Sequence, residues 1–588
     1  MEAKTEAAAQ LDRDAVIRVL REIAALLRAR GESEFRARAY ETAARRIAQV
    51  QGDLAAMVRD GTLREIPGIG EGLAATISEL VTTGRSHVHD TLREGYPPGI
   101  GELLQISGLG VKKALALWKA LGIGDVDALE QACLDSRVRG VRGFGEKVEQ
   151  KILEGIAEYR RVPETPDRRR LGDVLPGAES LLDHLVATRT IRRGAVAGDA
   201  RRACEEVDTV ELVVSADGPA SVDAELARSP LVARVAERED GRRSVRLHER
   251  EVVLDVRVVS DDAYAAALVH STGSAAHVSR LRALAEQKGF AFTESGLFRG
   301  AERLPTGEEQ AVYEALGLPW IPPELREDAG EIDAASAERL PADLLDEGHV
   351  LGIVHSHSTW SDGAATLEQM AKAARTLGFR YLTVTDHSQT ASYAGGLTVE
   401  NLERQWEEID SLNEELGPDF RLLRGIETDI LQDGRLDYPE DVLRQFEVVI
   451  GSIHNRHNMD ERQMTDRILR AFEDPHLHIL GHATGRLLQR RPPYALRMNE
   501  ILDAAARHGV AIEVNGNPHR LDLKSDYVRQ ALERGVKLVI SPDSHSVREL
   551  GHVRYAVLTA RRGWARRGDV LNTLDASGFT ATLKSMRR

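Results

Sequence analysis

The 588-residue chain has only two cysteines, Cys133 and Cys204. Two thiols supply neither a disulfide framework nor a thiolate metal site, which fits a reducing cytoplasm. The chain also lacks any apolar run of membrane-spanning length, and its start, MEAKTEAAAQLDRD, lacks the apolar core of a signal peptide. The expectation is a cytoplasmic protein with no membrane partner, monomeric by default. A net charge of −15 argues against a surface that binds polyanions everywhere, although charge balance over a long chain hides local patches. Residues 1–165 carry 24 Lys and Arg against 25 Asp and Glu, so nearly all the excess acid lies further on. Histidine is as uneven, with 13 of 19 after residue 345. A chain that is 42% hydrophobic and 29% charged is ordinary for globular protein, and its length allows several separate cores.

Residues 11–60 read as amphipathic helices, including AVIRVLREIAALLRAR and a basic helix, FRARAYETAARRIAQV. Three later segments share one form: IPGIGEGLAATI from Ile66, ISGLGVKKALAL from Ile106 and VRGFGEKVEQKI from Val141. Each is an apolar residue, a Gly-x-Gly pair and an amphipathic helix. The pairs are Gly68 and Gly70, Gly108 and Gly110, and Gly143 and Gly145. Glycine lets a tight turn run into a helix N-terminus with backbone N–H groups left to hold a phosphate oxygen. One such turn often only links two helices. Three in succession point to nucleic acid held by its backbone, without sequence readout.

From Gly348 the pattern becomes strand, loop, helix, repeated. The strand candidates are GHVLGIVH, FRYLTVTDH, FRLLRGIETDI, FEVVIGSIH, LHILGH, GVAIEVNG and GVKLVISPDSH, with helical segments such as MNEILDAAARHG between them. This alternation predicts a parallel α/β sheet or barrel with its site at the C-terminal strand ends. Six of these seven ends carry His, Asp or Glu. HSHSTWSDG supplies His355, His357 and Asp362; in an extended strand i and i+2 project to one side, so two imidazoles would face one point. His387, Glu427, His454, His482, Asp543 and His545 complete the set. Six imidazoles with three carboxylates suit Zn²⁺, Mn²⁺ or Fe²⁺ and exclude an all-oxygen Mg²⁺ site. Nine ligands exceed what one ion takes, so two or three ions are the economical reading. Such a cluster clamps a phosphate and supplies a metal-bound hydroxide as the attacking group, which predicts phosphoester hydrolysis.

The three glycine segments resemble helix-hairpin-helix motifs, and FRARAYETAARRI resembles the opening helix of family X DNA polymerases. AALVHSTGSAAHVSRLRALAEQKGFAFTESGLF is similar to the palm and thumb of the same polymerases, and HSHSTWSDG, TDH, GIE, SIH, GH and PDSH resemble the ligand set of the PHP (polymerase and histidinol phosphatase) domain. The resemblance spans nearly the whole chain and implies a multidomain architecture. Residues 1–90 would form a helical DNA-binding domain with the first hairpin, 91–165 a fingers-like helical domain, 166–260 an α+β nucleotidyltransferase-like palm and 261–318 a thumb. Residues 319–345 would be a linker and 346–588 a distorted, TIM-like α/β barrel hydrolysing phosphoesters with Mn²⁺ or Zn²⁺. His457, His519 and Arg486 are further candidates to approach the phosphate.

Nucleotidyl transfer in family X uses Mg²⁺ or Mn²⁺ on about three carboxylates, two of them at i and i+2 of one strand. Laid on that pattern, Gly198-Asp199-Ala200-Arg201-Arg202 replaces Gly-Ser-x-Arg-Arg, the Asp-x-Asp pair falls on Thr209 and Glu211, and the third aspartate is Asp255. On a regular strand Asp208 points away from Glu211, Asp199 sets a like charge where a triphosphate lies, and His270-Ser271 replaces a Tyr-Phe pair. The expectation is a degenerate polymerase site, with palm metal and deoxynucleotide binding both in doubt. Between Lys4 and Lys112 there is no lysine, which excludes the Schiff-base lyase of some relatives by that route. Two readings stay open: a 3′→5′ exonuclease acting on gapped, nicked or 3′ DNA ends over a polymerase-like scaffold, or a working gap-filling polymerase with an editing PHP domain.

Overall fold

The structure, a computed structural model, describes residues 13–29, 34–49, 54–66, 68–93, 96, 103, 106, 109–161, 168–238, 241–247 and 252–587. The chain forms two compact units, Met1–Glu164 and Thr165–Arg588. No helix among the described residues is long and apolar enough to cross a membrane.

The first unit is all helix. Helix Arg13–Ala29 repeats Val16, Leu20, Ile23 and Leu27 at a spacing of three and four, and this stripe is buried with Ala37, Tyr40, Ala44 and Ile47 of helix Glu34–Gln49. Further on, Gly70 caps helix Glu71–Thr83, Gly110 caps helix Val111–Leu121, and Gly145 precedes helix Glu146–Arg161. Two of the pairs use glycine for its backbone: Gly68 has φ 88° and Gly143 φ 91°, a region that side chains disfavour. Gly108 lies outside the described residues.

The second unit begins with a mixed sheet, made of β1 (Arg193–Ala197), β2 (Val210–Ser215), β3 (Val232–Glu237), β4 (Arg243–Leu247) and β5 (Val253–Val259) in the order β1-β2-β5-β4-β3. Helix Leu171–Ala187 covers one face through Leu171, Val174, Leu175, Ala178 and Leu181. Helices Tyr264–Thr272 and Ala275–Gln287 follow, then a small antiparallel sheet, β6 (Ala291–Thr293), β7 (Gly296–Arg299) and β8 (Glu302–Arg303). Residues 319–345, expected as a linker, instead join this core. Ile321, Leu325, Ile332 and Ala335 are buried with Val269, Leu281 and Phe292. Apolar residues spaced along an otherwise Pro- and acid-rich stretch explain why it packs.

Seven parallel strands complete the unit in chain order: β9 (Gly352–Ile353), β10 (Tyr381–Val384), β11 (Arg421–Asp429), β12 (Val448–Ser452), β13 (Ile479–Leu480), β14 (Ala511–Asn515) and β15 (Leu538–Ser541). The first and last meet, since Ser356 and Ser544 form a parallel bridge in which His357 N donates to Ser544 O at 2.8 Å. Lower down, the Asn572 side chain stitches the same seam, accepting from Ile540 N at 3.0 Å and donating to Gly352 O and Ile540 O at 2.8 Å each. Strand alternation then sorts the residues. Val354, Tyr381, Leu423, Val448, Ile450, Ile479, Ala511 and Val539 form the inner core with Phe579 and Leu583 of helix Ala576–Met586, whereas Leu422, Ile426, Val449, Leu480, Ile512 and Ile540 pack in the core that includes the crossover helices.

A buried ion cluster ties palm to thumb. Glu309 accepts from Arg201 Nη1 and Nη2 at 2.9 and 2.8 Å and from Arg326 Nη1 at 2.6 Å. Burial alone would raise its carboxyl, but Arg326 and Arg201 hold it down to about 2. A depressed carboxylate contributes its stability above its unfolded value, about 4.5, and loses it as pH falls toward 2. Glu309→Gln is therefore expected to cost roughly 3–5 kcal/mol at neutral pH. The gap between variant and wild type in thermal melts should close as the pH is lowered through that window.

Candidate metal centre

Along β11 two steps of two lead from Leu423 in the inner core to Glu427, so the inward face of that strand changes from apolar to ligand-type. His387 and Asp543 lie just past the ends of β10 and β15. All nine expected side chains fall into four overlapping groups whose polar atoms lie within 4.8 Å of one another: His357, Asp362, His387 and His545; His355, Glu427 and His482; His355, His357 and Asp543; His387, Glu427 and His454.

Glu427, 1% exposed, is the hub. Its Oε1 lies 3.0 Å from His482 Nε2 and 3.2 Å from both His355 Nε2 and His454 Nε2, while Oε2 lies 2.9 Å from His387 Nδ1 and 3.6 Å from His357 Nε2. Asp543 Oδ1 stands 3.5 Å from Nε2 of both His355 and His357, and Asp362 Oδ1 stands 3.5 Å from His545 Nε2 and 3.6 Å from His387 Nε2. Burial would raise the Glu427 carboxyl, but His454, His355 and His387 hold it well below the usual range. Burial, then His545 and His387, push His357 down to about 3. His454 is raised to about 9 by Glu427 and Asp429 against its burial.

The donors fit divalent metal ions. His355 Nε2, both His357 nitrogens, His387 Nδ1 and Asp362 Oδ1 are buried and make no hydrogen bond, although such groups are costly to leave unsatisfied. Each needs an electrophile in the same small space, and the mixed N and O donors suit a transition metal.

The convergence is not the simple strand-face arrangement expected from the sequence. β9 ends at Ile353, and His355 adopts φ 69°, so a left-handed residue, not a regular i and i+2 pair, brings the two imidazoles to 5.2 Å between centroids. Asp543, at φ 51°, shares this conformation. Two backbones held in a sparsely populated region mark the site as over-determined by its surroundings.

Those surroundings include residues that ligand spacing did not reveal. His355 Nδ1 meets Glu513 Oε1 at 2.6 Å, and Glu513 also accepts from His482 N and Ser541 Oγ. His454 Nδ1 meets Asp429 Oδ1 at 2.6 Å, with Thr390 Oγ1 donating to the other Asp429 oxygen at 3.0 Å. Each carboxylate fixes an imidazole so that its second nitrogen faces the centre. Glu513 lies on β14, the strand whose end lacked a ligand-type residue; a glutamate inside GVAIEVNG was the available signal. Of the three phosphate candidates, His457 stacks on Tyr494 with centroids 5.9 Å apart. The other two turn to the palm: Arg486 pairs with Glu205 and His519 with Arg170, because the barrel loops carrying them pack there.

A protein of Bacillus subtilis (strain 168), "DNA polymerase/3'-5' exonuclease PolX", is 37% identical over 576 residues, covering 97% of this chain and 99% of that one. The chain belongs to the PolX family. Residues 12–86 match a helix-hairpin-helix domain, 100–158 a SAM-like helix-hairpin-helix tandem, 267–327 the DNA polymerase beta thumb and 354–517 the PHP domain. The thumb match extends into the start of the segment expected as a linker, through residue 327. The barrel alone is also similar to a "Probable phosphatase" of Thermoanaerobacter sp. (strain X514), 27% identical over 40% of this chain and 94% of that protein. A "Probable phosphatase" of Shewanella sp. (strain ANA-3) is 27% identical over 34% of the chain and 76% of its own length.

In this PolX chain the palm carboxylates have guanidinium partners. Glu211 and Asp255 are register neighbours on β2 and β5. Asp255 Oδ2 accepts from Arg238 Nη1 at 2.7 Å, and Glu211 Oε1 lies 3.2 Å from Arg242 Nη1 and 3.4 Å from Arg257 Nε. Thr209 is exposed just before β2, and Asp208 faces away to Arg168 at 2.6 Å. Asp199 pairs with Arg202, and Arg201 is bound to Glu309. Both carboxylates thus lie beside arginines, burial still raises the Glu211 carboxyl despite Arg257, and no group of three or more ligand-type side chains occurs there among the described residues.

Asp429→Asn and Glu513→Gln should each lower metal affinity about 10–100-fold by freeing an imidazole. Mn²⁺ titration of the metal-stripped protein measures this. Wild-type affinity in both variants would show that these carboxylates do not orient ligands.

Proposed function

We propose that the chain is a metal-dependent 3′→5′ exonuclease of DNA whose reaction centre is the barrel. The observation that carries this is the set of nine ligand-type side chains around Glu427, with buried nitrogens that have no other partner. His355, His357, Asp362, His387, Glu427, His454, His482, Asp543 and His545 would hold two or three ions, Mn²⁺ or Zn²⁺ by donor type. Divalent ions there supply Lewis acidity toward a phosphoryl oxygen and a nucleophilic water at neutral pH. The protein's own part is to fix these donors through Glu513 and Asp429 at the barrel's C-terminal strand ends.

DNA is the substrate class that the helix-hairpin-helix matches and the Bacillus relative's name support. Backbone N–H groups at the turns of Gly68, Gly70, Gly110, Gly143 and Gly145 would hold the phosphates of gapped, nicked or 3′-ended DNA. The palm would serve as scaffold, a reading supported by the arginines beside Glu211 and Asp255. A DNA-acting role and two unpaired cysteines favour the cytoplasm. A second reading, an active gap-filling polymerase with an editing barrel, is favoured by the name of that relative.

A 5′-labelled primer on a gapped template, with Mn²⁺ and all four deoxynucleotides, separates the two. Shortening that is abolished in His357→Ala and unaffected by Asp255→Ala is the expected result. Lengthening that persists in His357→Ala and disappears in Asp255→Ala would establish the polymerase reading.

A further inference from the structure

We infer that Glu205, a residue of the palm, is a positioning residue for the barrel centre, acting through Arg486 on the segment that carries Arg520. The inference rests on the reading of Asp543 as a metal ligand. Arg486 directs Nη1 and Nη2 at Glu205 Oε2 and Oε1, at 2.9 and 2.7 Å. The same guanidinium gives Nε to Arg520 O at 2.9 Å and Nη2 also to Leu521 O. Its rigid fork thus joins one palm carboxylate to two successive carbonyls of the barrel loop after β14. The Arg520 side chain then reaches the centre, with Nε 3.3 Å from Asp543 Oδ2, where Asn515 Nδ2 donates at 3.0 Å. These two contacts occupy Oδ2 and leave Oδ1 facing Nε2 of His355 and His357, each at 3.5 Å.

The loop is held by the palm on both sides of this fork. Leu521, with φ 43°, is buried in the palm core beside Leu171, Leu175 and Val207. Gly172 on the palm helix admits Pro518, since a Cβ there would lie 2.4 Å from Pro518 Cβ. The Arg486 side chain is 9% exposed, so without the Glu205 charge it is a buried cation that has lost its hydrogen-bonded counter-ion and keeps only the more distant charges of Asp522 and Glu206. Such a group moves toward solvent and releases both carbonyls. Arg520 then no longer fixes Asp543. A second palm-to-barrel bridge, Arg554 to Glu179 at 3.0 and 2.6 Å, supplies the control, because among the described residues neither partner has a hydrogen bond or ion pair to Arg486, the 517–521 loop or the centre.

The test compares Glu205→Gln, Glu179→Gln, Arg520→Gln and the double variant Glu205→Gln/Arg520→Gln in the full chain. Mn²⁺ titration of the metal-stripped proteins, melting temperature and primer shortening are the readouts. Glu205→Gln should weaken Mn²⁺ binding about 10–100-fold and slow shortening, as Arg520→Gln does, with no further loss in the double variant. Glu179→Gln should keep wild-type Mn²⁺ affinity even where it lowers the melting temperature. Equal Mn²⁺ affinity in Glu205→Gln and Glu179→Gln, or losses that add in the double variant, would overturn the relay. A Glu205→Gln chain that does not fold leaves Arg486→Lys, which keeps the charge but not the fork, with the same expected loss. If wild type binds Mn²⁺ but does not shorten the primer, the exonuclease reading fails, and the Mn²⁺ titrations still decide the relay.

Discussion

One buried carboxylate organises the barrel mouth. Glu427 is surrounded by five imidazoles, from His355, His357, His387, His454 and His482, which come from separate strand ends apart from the first two. A lone carboxylate at that depth would cost several kcal/mol or take up a proton. Here the surrounding imidazoles outweigh the burial and keep it ionised. The same constraint acts in reverse, because so many imidazoles cannot all be protonated side by side. Burial, and then the rings of His545 and His387 at 4.2 and 4.4 Å, drive His357 down, and burial with Arg520 lowers His482, so both are suited to bind a cation.

The barrel exists to bring these ends together. Seven parallel strands in chain order reach closure at the Ser356–Ser544 bridge, and that bridge flanks His355, His357, Asp543 and His545. Closure of the sheet and assembly of the centre are therefore one event. The left-handed residues at His355 and Asp543 are the local cost of turning the strand ends inward. They persist because Glu513 fixes the His355 ring, while Asn515 and Arg520 fix the Asp543 carboxylate.

The palm shows the opposite solution to the same electrostatic problem. Glu211 and Asp255 lie side by side, as carboxylates that share metals must, but their charge is met by Arg238, Arg242 and Arg257. A guanidinium meets a carboxylate without offering a coordination position, whereas a metal ion leaves such positions for substrate. The palm also offers a surface against which Leu521 of the barrel loop is packed.

The barrel and its nine ligand-type residues were legible in the sequence because period-2 strands and the chemistry of His, Asp and Glu are local properties. The glycine turns were legible for the same reason, since a positive φ at Gly68 or Gly143 is a demand of one residue on its own backbone. The sequence could not show that residues 319–345 are core, because burial depends on what lies opposite. Nor could it assign Glu513 and Asp429 to His355 and His454, or Arg486 to Glu205 rather than to a phosphate. Those pairings join residues as much as 281 apart in the chain, and only the folded structure decides which buried charge meets which partner.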